Sequence, residues 1–181
     1  MQIKFATNLL IDGDKVKVVL IPEGAKLKEK GDIVISSELS AVENAFLINE
    51  PGEYEVKDVF VYAISINGGK NPRLFSINVD GITIVYLSAE VTEIPKHVID
   101  EIGVDDISII DFNESDANLS EKIKLLDDLD PAIFIPIRAG RELLEKIAKE
   151  TELELPEVQS KLKYAAGDFD EEERSLKLAL L

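Results

Sequence analysis

The feature of this sequence that most constrains its fold is a change in hydrophobic pattern near residue 90. Before that point, short apolar or alternating segments rich in β-branched residues are typical of strands. These segments are 8–11, 15–21, 32–35, 55–66, 74–79 and 82–87. After it, segments with helical periodicity alternate with short apolar strands. The helical segments are 95–102, 118–129 and 140–151, and the strands are 107–110 and 132–137. This order indicates a layered α/β or α+β fold.

Turn and cap residues mark the joints between these segments. Two Asp-Gly sequences, Asp12-Gly13 and Asp80-Gly81, predict hairpins, and Pro51-Gly52 predicts a turn before the next strand. Thr92 and Asn118 are predicted N-caps of the first two helices. Near the end of the chain, a terminal pair of strands is predicted on either side of an acidic turn. The two strands are 164–166 and 176–180, and the turn is 168–174.

Composition excludes several kinds of chemistry. The 181 residues contain no cysteine, which excludes a disulfide framework, a thiolate zinc site and a cysteine nucleophile. His97 is the only histidine, so one chain cannot supply a tri-histidine metal site. The glycine-rich loops that cradle phosphates, G-x-x-x-x-G-K-[ST] and G-x-G-x-x-G, are also absent.

Charge and hydropathy predict the setting in which the protein works. The chain has 36 acidic and 20 basic residues, a net charge of −16, and an acidic surface repels nucleic acid and anionic lipid. No apolar stretch approaches the ~20 residues of a membrane span, and the first residues lack the apolar core of a signal peptide. We therefore expect a cytoplasmic protein with a single domain, 1–181, that binds neither nucleic acid nor membranes.

Several segments, in their order along the chain, resemble one known fold family. These segments are Ile3-Lys4-Phe5, Leu20-Ile21-Pro22, 32–36, 51–56, 81–90, 102–105 and 130–136. The segment Pro51-Gly52-Glu53-Tyr54-Glu55-Val56 looks very like the P-G-E-Y-E-V segment of the metallo-β-lactamase superfamily, in particular of its small lactonase-like hydrolases. This resemblance implies a four-layer αββα sandwich in its short version. It also implies one or two ions of zinc or manganese, which activate a water molecule in that family.

The metal-ligand motifs of that family are replaced in this sequence. The ligand positions of H-x-H-x-D-H fall on Ser37, Leu39, Ala41 and Val42. The later segment H-x-G-D, whose aspartate bridges metals in that family, falls on Tyr86, Leu87, Ser88 and Ala89. The last histidine falls on Arg138, whose guanidinium is always protonated and repels a cation. The aspartate that usually precedes the early proline falls on Ile21. The resemblance therefore implies a pseudoenzyme with no catalytic residue, no metal site and no cofactor.

Five residues mark a vestigial or alternative cleft: Ser37, Glu38, Tyr86, Glu90 and Arg138. Glu38 and Glu90 each lie one position from a lost motif, and together they could hold a hard ion such as Mg²⁺ or Mn²⁺ or act as an acid/base pair. In so acidic a chain, solvated loop carboxylates are the simpler interpretation.

Two other polar groups have alternative interpretations. His97 is either a relocated metal ligand or, more simply, a solvated surface residue. Arg138 with Arg141 could bind an anion at a helix start. The simpler alternative is that Arg138 fills the vacated metal pocket by pairing with Asp111 or a glutamate.

The first functional hypothesis is a non-catalytic module that binds another protein or forms a homo-oligomer; it expects a cleft closed by Leu39, Val42 and Tyr86. The second is a metal-dependent hydrolase of a small phosphorylated or lactone-type substrate. It requires Glu38, Glu90 and Arg138 in one water-accessible cleft. The third is an anion or nucleotide sensor that uses Arg138 alone.

Overall fold

The computed structural model of this protein describes residues 1–66, 68–113, 118–169 and 175–181. Within these residues the chain forms thirteen strands and three α-helices. The strands are β1 (Gln2–Phe5), β2 (Leu9–Asp12), β3 (Lys17–Leu20), β4 (Ile33–Ile35), β5 (Phe46–Ile48), β6 (Gly52–Val56), β7 (Val59–Ile64), β8 (Leu74–Val79), β9 (Ile82–Leu87), β10 (Ile107–Asp111), β11 (Ile133–Ile137), β12 (Leu162–Lys163) and β13 (Lys177–Leu178). The helices are α1 (Lys96–Ile102), α2 (Leu119–Leu129) and α3 (Arg141–Glu150).

The strands form two sheets. The first has the order β12-β1-β2-β3-β4-β5, and the second has the order β13-β11-β10-β9-β8-β7-β6. In the second sheet, β9, β10, β11 and β13 run parallel to one another. The carboxyl ends of these four strands therefore meet at one edge, where ligands commonly bind in sheets of this kind.

The main hydrophobic core lies between the two sheets. In β3, Val18 and Leu20 point into it, while Val19 points away, as strand alternation requires. From the second sheet, Ile77 and Ile109 join the same cluster and are fully buried. The outer face of the second sheet is covered by the helices, with Val85, Leu126 and Ile147 in a second cluster.

The outer face of the first sheet is covered differently. Its apolar residues Val19, Ile21 and Val34 pack against partly buried side chains that follow β3 and β4, including Leu27 and Leu39. The predicted mixed α/β fold with two facing sheets is confirmed. On this side of the described residues, loops take the place of the second helical layer of a four-layer sandwich. No helix in the described ranges has the length and apolar character needed to span a membrane.

The hairpin between β6 and β7 was not predicted, since 55–66 was interpreted as one strand. The two strands are antiparallel, and the two residues between them, Lys57 and Asp58, have left-handed backbone angles (φ 53° and 63°). A two-residue turn of type I′ needs positive φ at both positions and normally has the sequence Asn-Gly, Asp-Gly or Gly-Gly. Lys57-Asp58 carries no such signal, which explains why the turn was missed.

Other differences concern the ends of elements. The predicted terminal strands do not pair with each other, because β12 pairs with β1 in the first sheet and β13 pairs with β11 in the second. α1 begins after Pro95, as the segment 95–102 predicts, but its N-cap is Pro95 and not Thr92. Asn118 stands at the predicted N-cap of α2, and neither helix has a side-chain cap hydrogen bond. Of the predicted acidic turn, residues 170–174 lie outside the described residues.

Candidate functional site

Three polar side chains meet at the carboxyl edge of the second sheet. Tyr86 is the penultimate residue of β9, Asp111 is the last residue of β10, and Arg138 directly follows β11. The parallel register pairs Ile110 with Leu87 and Asp111 with Ile137, so the three positions are neighbours. Their meeting is therefore a consequence of strand order and register.

Asp111 is the centre of this group, and its side chain has no solvent exposure. Its Oδ1 accepts hydrogen bonds from Arg138 Nε at 2.8 Å and from the Asn113 backbone N–H at 2.9 Å. Its Oδ2 accepts from the Tyr86 hydroxyl at 3.1 Å and from Arg138 Nη2. Two guanidinium nitrogens thus bind both carboxylate oxygens, the bidentate geometry that makes charge-assisted hydrogen bonds strong and directional.

Arg138 also connects the two sheets. Its Nη1 donates to the carbonyl oxygen of Glu23, in the segment after β3, at 2.9 Å. Burial disfavours the guanidinium charge, but hydrogen bonding to Asp111 and the charge of Asp111 outweigh burial, so the pKa of Arg138 is raised. Burial, reinforced by the Asp111 charge, also raises the pKa of Tyr86 well above its ordinary value. The arginine is thus charged and the tyrosine neutral near pH 7.

A second arginine extends this network. Arg73, just before β8, places Nη1 2.5 Å from Glu23 Oε2 and Nη2 3.1 Å from Glu90 Oε2. Hydrogen bonding to Glu23 raises the pKa of Arg73. On the other side of the same segment, Glu38 Oε2 accepts a hydrogen bond from the Gly24 N–H at 2.9 Å. Sequence reasoning missed Arg73, because an isolated arginine before a strand carries no pattern.

The structure thus brings three of the predicted cleft residues to one short segment. Glu38, Glu90 and Arg138 are each linked to Glu23 or Gly24, directly or through Arg73. Ser37 is half-buried beside them. The turn that carries Ser37 and Glu38 is held by the neighbouring Ser36, whose Oγ accepts the N–H groups of Glu38 and Leu39.

Two expectations for the closed cleft were wrong. Leu39 and Val42 pack on the outer face of the first sheet, against Val19 and its neighbours, and do not close the space between the sheets. Both residues lie in the irregular segment between β4 and β5, where no regular pattern fixes the side on which a side chain lies. Tyr86 does lie in the inter-sheet core, as expected. His97 is exposed on α1.

Lys122 is a buried cation that the sequence analysis did not single out. It lies on α2, where its Nζ donates to the carbonyl oxygen of Asp111 and sits 4.8 Å from the centre of the Phe112 ring. Only 3% of the residue is exposed. Burial lowers its pKa to about 8, although the nearby charge of Asp111 opposes the shift and that of Arg138 adds to it.

The donor groups of this site do not suit the zinc or manganese ion that the resemblance implies. Such ions need the free lone pairs of imidazole or carboxylate groups. The buried carboxylate here, Asp111, uses both oxygens to bind Arg138, Tyr86 and Asn113. Across the described ranges, no three histidine, aspartate or glutamate side chains are grouped so that they could hold a metal ion.

Comparison with known proteins gives matches in structure but not in sequence. No family model matches the chain, and no curated protein matches it. A candidate Zn-dependent hydrolase of the metallo-β-lactamase superfamily from Thermotoga maritima superposes with a TM-score of 0.76, at 18% identity and over 100% of both chains.

Two other solved structures are similar. A candidate metal-dependent hydrolase from Parabacteroides distasonis has a TM-score of 0.58 and 13% identity over 95% of this chain and 88% of the other. CmlA, a diiron β-hydroxylase from Streptomyces venezuelae, has a TM-score of 0.58 and 8% identity over 99% of this chain and 52% of its own length. At these identities the likeness concerns the fold alone. The facing sheets, the helices on the second sheet and these superpositions together show that this chain has the metallo-β-lactamase fold.

Proposed function

We propose that this protein is a non-catalytic form of the hydrolase fold that serves as a protein-binding or self-association module. The observation that carries this proposal is the Asp111–Arg138 ion pair at the carboxyl edge of the second sheet. By the resemblance, Arg138 stands at the position of the last metal-binding histidine. A fixed guanidinium there repels a metal ion and occupies the carboxylate that would otherwise be available to bind one.

The charges around the site support the same interpretation. Glu23 and Glu90 both bind Arg73, and Asp111 binds Arg138. A carboxylate that acts as a general base must be within reach of a substrate or water proton. Carboxylates held by arginines are poorly placed for this role, so the network is better suited to fixing the cleft than to performing hydrolysis.

The competing hydrolase hypothesis makes a specific demand on Glu38 and Glu90. In that hypothesis, the two glutamates and Arg138 surround one substrate. The contacts described above link them through the backbone of Glu23–Gly24 and through Arg73. Glu90 is held by Arg73 and Glu38 accepts the Gly24 N–H, so neither carboxylate is kept free for a substrate, which favours the module over the hydrolase. The cytoplasmic location and the absence of nucleic-acid and membrane partners remain predictions.

A hydrolysis assay tests the proposal. The purified protein, alone and after incubation with Zn²⁺, Mn²⁺ or Mg²⁺, is tested with p-nitrophenyl phosphate, bis-p-nitrophenyl phosphate and an acyl-homoserine lactone. We expect each rate to equal that of the buffer with the same metal. Turnover that disappears in Glu38→Gln or Glu90→Gln, but persists in the matched surface variant Glu154→Gln, would establish the hydrolase instead.

A further inference from the structure

A groove of about 510 Å³ lies on the outer face of the second sheet, away from the inter-sheet site. It occupies the part of the sheet formed by β6, β7, β8 and the start of β9, with the end of α1 at its rim. Its lining residues are Glu53, Tyr54, Phe60, Val61, Tyr62, Ser76, Asn78, Thr83, Glu101 and Ile102. A cavity of this volume is within the range of ligand sites.

Aromatic side chains are exposed on the floor of this groove. Phe60 is 53% exposed, whereas its neighbours Val59 and Val61 point into the main core and are almost fully buried. Tyr62 lies on the same face as Phe60, two residues along β7, and its hydroxyl donates to Glu101 Oε2 at 2.6 Å. The exposed ring of Phe60 and the half-buried ring of Tyr62 thus form a continuous aromatic strip on one face of β7.

The strand register places a carboxylate beside each of these rings. In the β6–β7 pairing, Glu55 is opposite Phe60 and Glu53 is opposite Tyr62. The hydrogen bond from the Tyr62 hydroxyl to Glu101, together with the charges of Glu101 and Glu53, raises the pKa of Tyr62. Among the described residues that line the groove, none carries a positive charge. The surface therefore combines aromatic faces with negative charge.

We propose that this groove is an interaction surface for an arginine-bearing segment of a partner protein. A guanidinium stacks on an aromatic face and at the same time donates two parallel hydrogen bonds to a carboxylate. Both kinds of contact are available side by side, because the cross-strand pairs of β6 and β7 are Glu53 with Tyr62 and Glu55 with Phe60. Lysine, a compact and strongly hydrated cation, uses such a surface less well. This inference rests on the proposed binding role and specifies its partner.

A second copy of this chain is a poor candidate for the occupant. Of its four arginines, Arg73 and Arg138 are held in ion pairs at the inter-sheet site, and Arg141 is exposed beside Glu145. Arg174 lies outside the described residues. A second copy also carries a net charge of −16, so the carboxylates of the groove repel it. A different protein with an exposed arginine therefore matches the groove better.

Peptide titration monitored by NMR tests the proposal. The probe is a ten-residue glycine–serine peptide with two arginines, compared with the same peptide carrying two lysines and with free arginine. We expect the arginine peptide to shift the backbone amides of β7 and of residues 101–102, and to bind at least about fivefold more tightly than the lysine peptide. Phe60→Ala should weaken binding by about fivefold, and so should the double variant Glu53→Gln/Glu55→Gln.

A charge-matched control separates this surface from general attraction to an acidic protein. The double variant Glu150→Gln/Glu154→Gln changes the net charge by the same amount on exposed residues elsewhere. Equal loss of affinity in both double variants, no binding of the peptide, or equal affinity for free arginine would overturn the proposal. Peptide-independent dimerisation that is lost in Phe60→Ala would assign the groove to a second copy and overturn it as well. None of these outcomes bears on the hydrolysis assay, so the two proposals fail separately.

Discussion

Arg138 donates hydrogen bonds to both carboxylate oxygens of Asp111, and its Nε lies 2.8 Å from Oδ1. The side chain of Asp111 has no solvent exposure. The third guanidinium nitrogen, Nη1, binds the carbonyl oxygen of Glu23 in the segment that follows β3. One side chain thus ties the carboxyl edge of the second sheet to the first sheet. The pair therefore contributes to both the packing of the fold and the chemistry of the cleft.

Removing one partner of this pair should lower the free energy of unfolding substantially. In Arg138→Ala, Asp111 is left as a buried charge whose remaining hydrogen-bond donors are Tyr86 and the Asn113 backbone. Losing one member of a buried pair costs about 3–5 kcal/mol of unfolding free energy. Urea denaturation followed by circular dichroism measures the change. In the control Arg141→Ala, which removes an exposed pair with Glu145, we expect a loss of less than about 0.5 kcal/mol.

Replacing both partners should restore most of that loss. Apolar residues of similar volume in Arg138→Met/Asp111→Leu remove both charges at once, and such replacements are often neutral. We expect the double variant to be more stable than Arg138→Ala in the same urea experiment. The single variants Arg138→Met and Asp111→Leu complete the comparison. If the loss of unfolding free energy in the double variant equals the sum of the losses in these two, the pair does not act as a coupled unit.

Lys122 predicts a dependence of stability on alkaline pH. Its pKa is about 8 in the folded protein, against an ordinary 10.5. Between pH 8 and 10.5, Lys122 binds more protons in the unfolded state than in the folded state. The contribution of Lys122 to the free energy of unfolding therefore rises with pH. We expect a gain of about 1–2 kcal/mol from pH 7.5 to 9.5. The raised pKa values of Tyr86, Tyr62 and Tyr164 oppose this gain, because these phenols ionise first in the unfolded state, but together they remove only about 0.5 kcal/mol below pH 9.5.

The control for this prediction is Lys122→Met, in which the alkaline gain should vanish. The comparison uses urea denaturation at pH 7.5, 8.5 and 9.5 for both proteins. A flat profile in the unsubstituted protein, or an equal slope in both, would show that Lys122 is not the group responsible.

The β6–β7 turn offers a simple gain in stability. Asp58 has φ 63°, a left-handed conformation that costs less for glycine than for a residue with a Cβ. Asp58→Gly should therefore raise the unfolding free energy by about 0.5–1 kcal/mol, and it keeps Lys57, whose Nζ lies 2.5 Å from Asp32 Oδ1. Thermal unfolding measures the effect. Asp58→Ala, which keeps the strained backbone, should give no gain; equal stabilisation by both changes would contradict the explanation.

Much of the fold could be predicted because its local signals agree with the tertiary structure. The apolar runs that became β4, β10 and β11 are buried along their whole length, and Asp80-Gly81 forms the expected turn. The Lys57-Asp58 turn could not be predicted, because its residues lack the usual preference for positive φ. The pairing of β12 and β13 with different sheets depends on contacts that are distant in sequence, and no local pattern reports them.

The candidate site was predictable only in part, for a similar reason. Pairing of Arg138 with Asp111 or a glutamate was the simpler of the two interpretations, and the structure shows the pair with Asp111. The two residues meet because they follow or end neighbouring strands of a parallel sheet. The hydrogen bond from Arg138 to the Glu23 carbonyl and the ion pair between Arg73 and Glu90 each join residues that are not neighbours in the sequence. Charged residues are common throughout this sequence, so nothing marked Arg73 or Lys122 in advance.

The central claim is that an arginine–aspartate pair, rather than a metal ion, organises the cleft. Elemental mass spectrometry of protein purified without chelator, and again after incubation with Zn²⁺, Mn²⁺ and Mg²⁺ and desalting, tests it most directly. The account predicts less than about a tenth of an equivalent of each metal per chain. About one equivalent or more that survives desalting and is lost in Glu38→Gln or Glu90→Gln would contradict it.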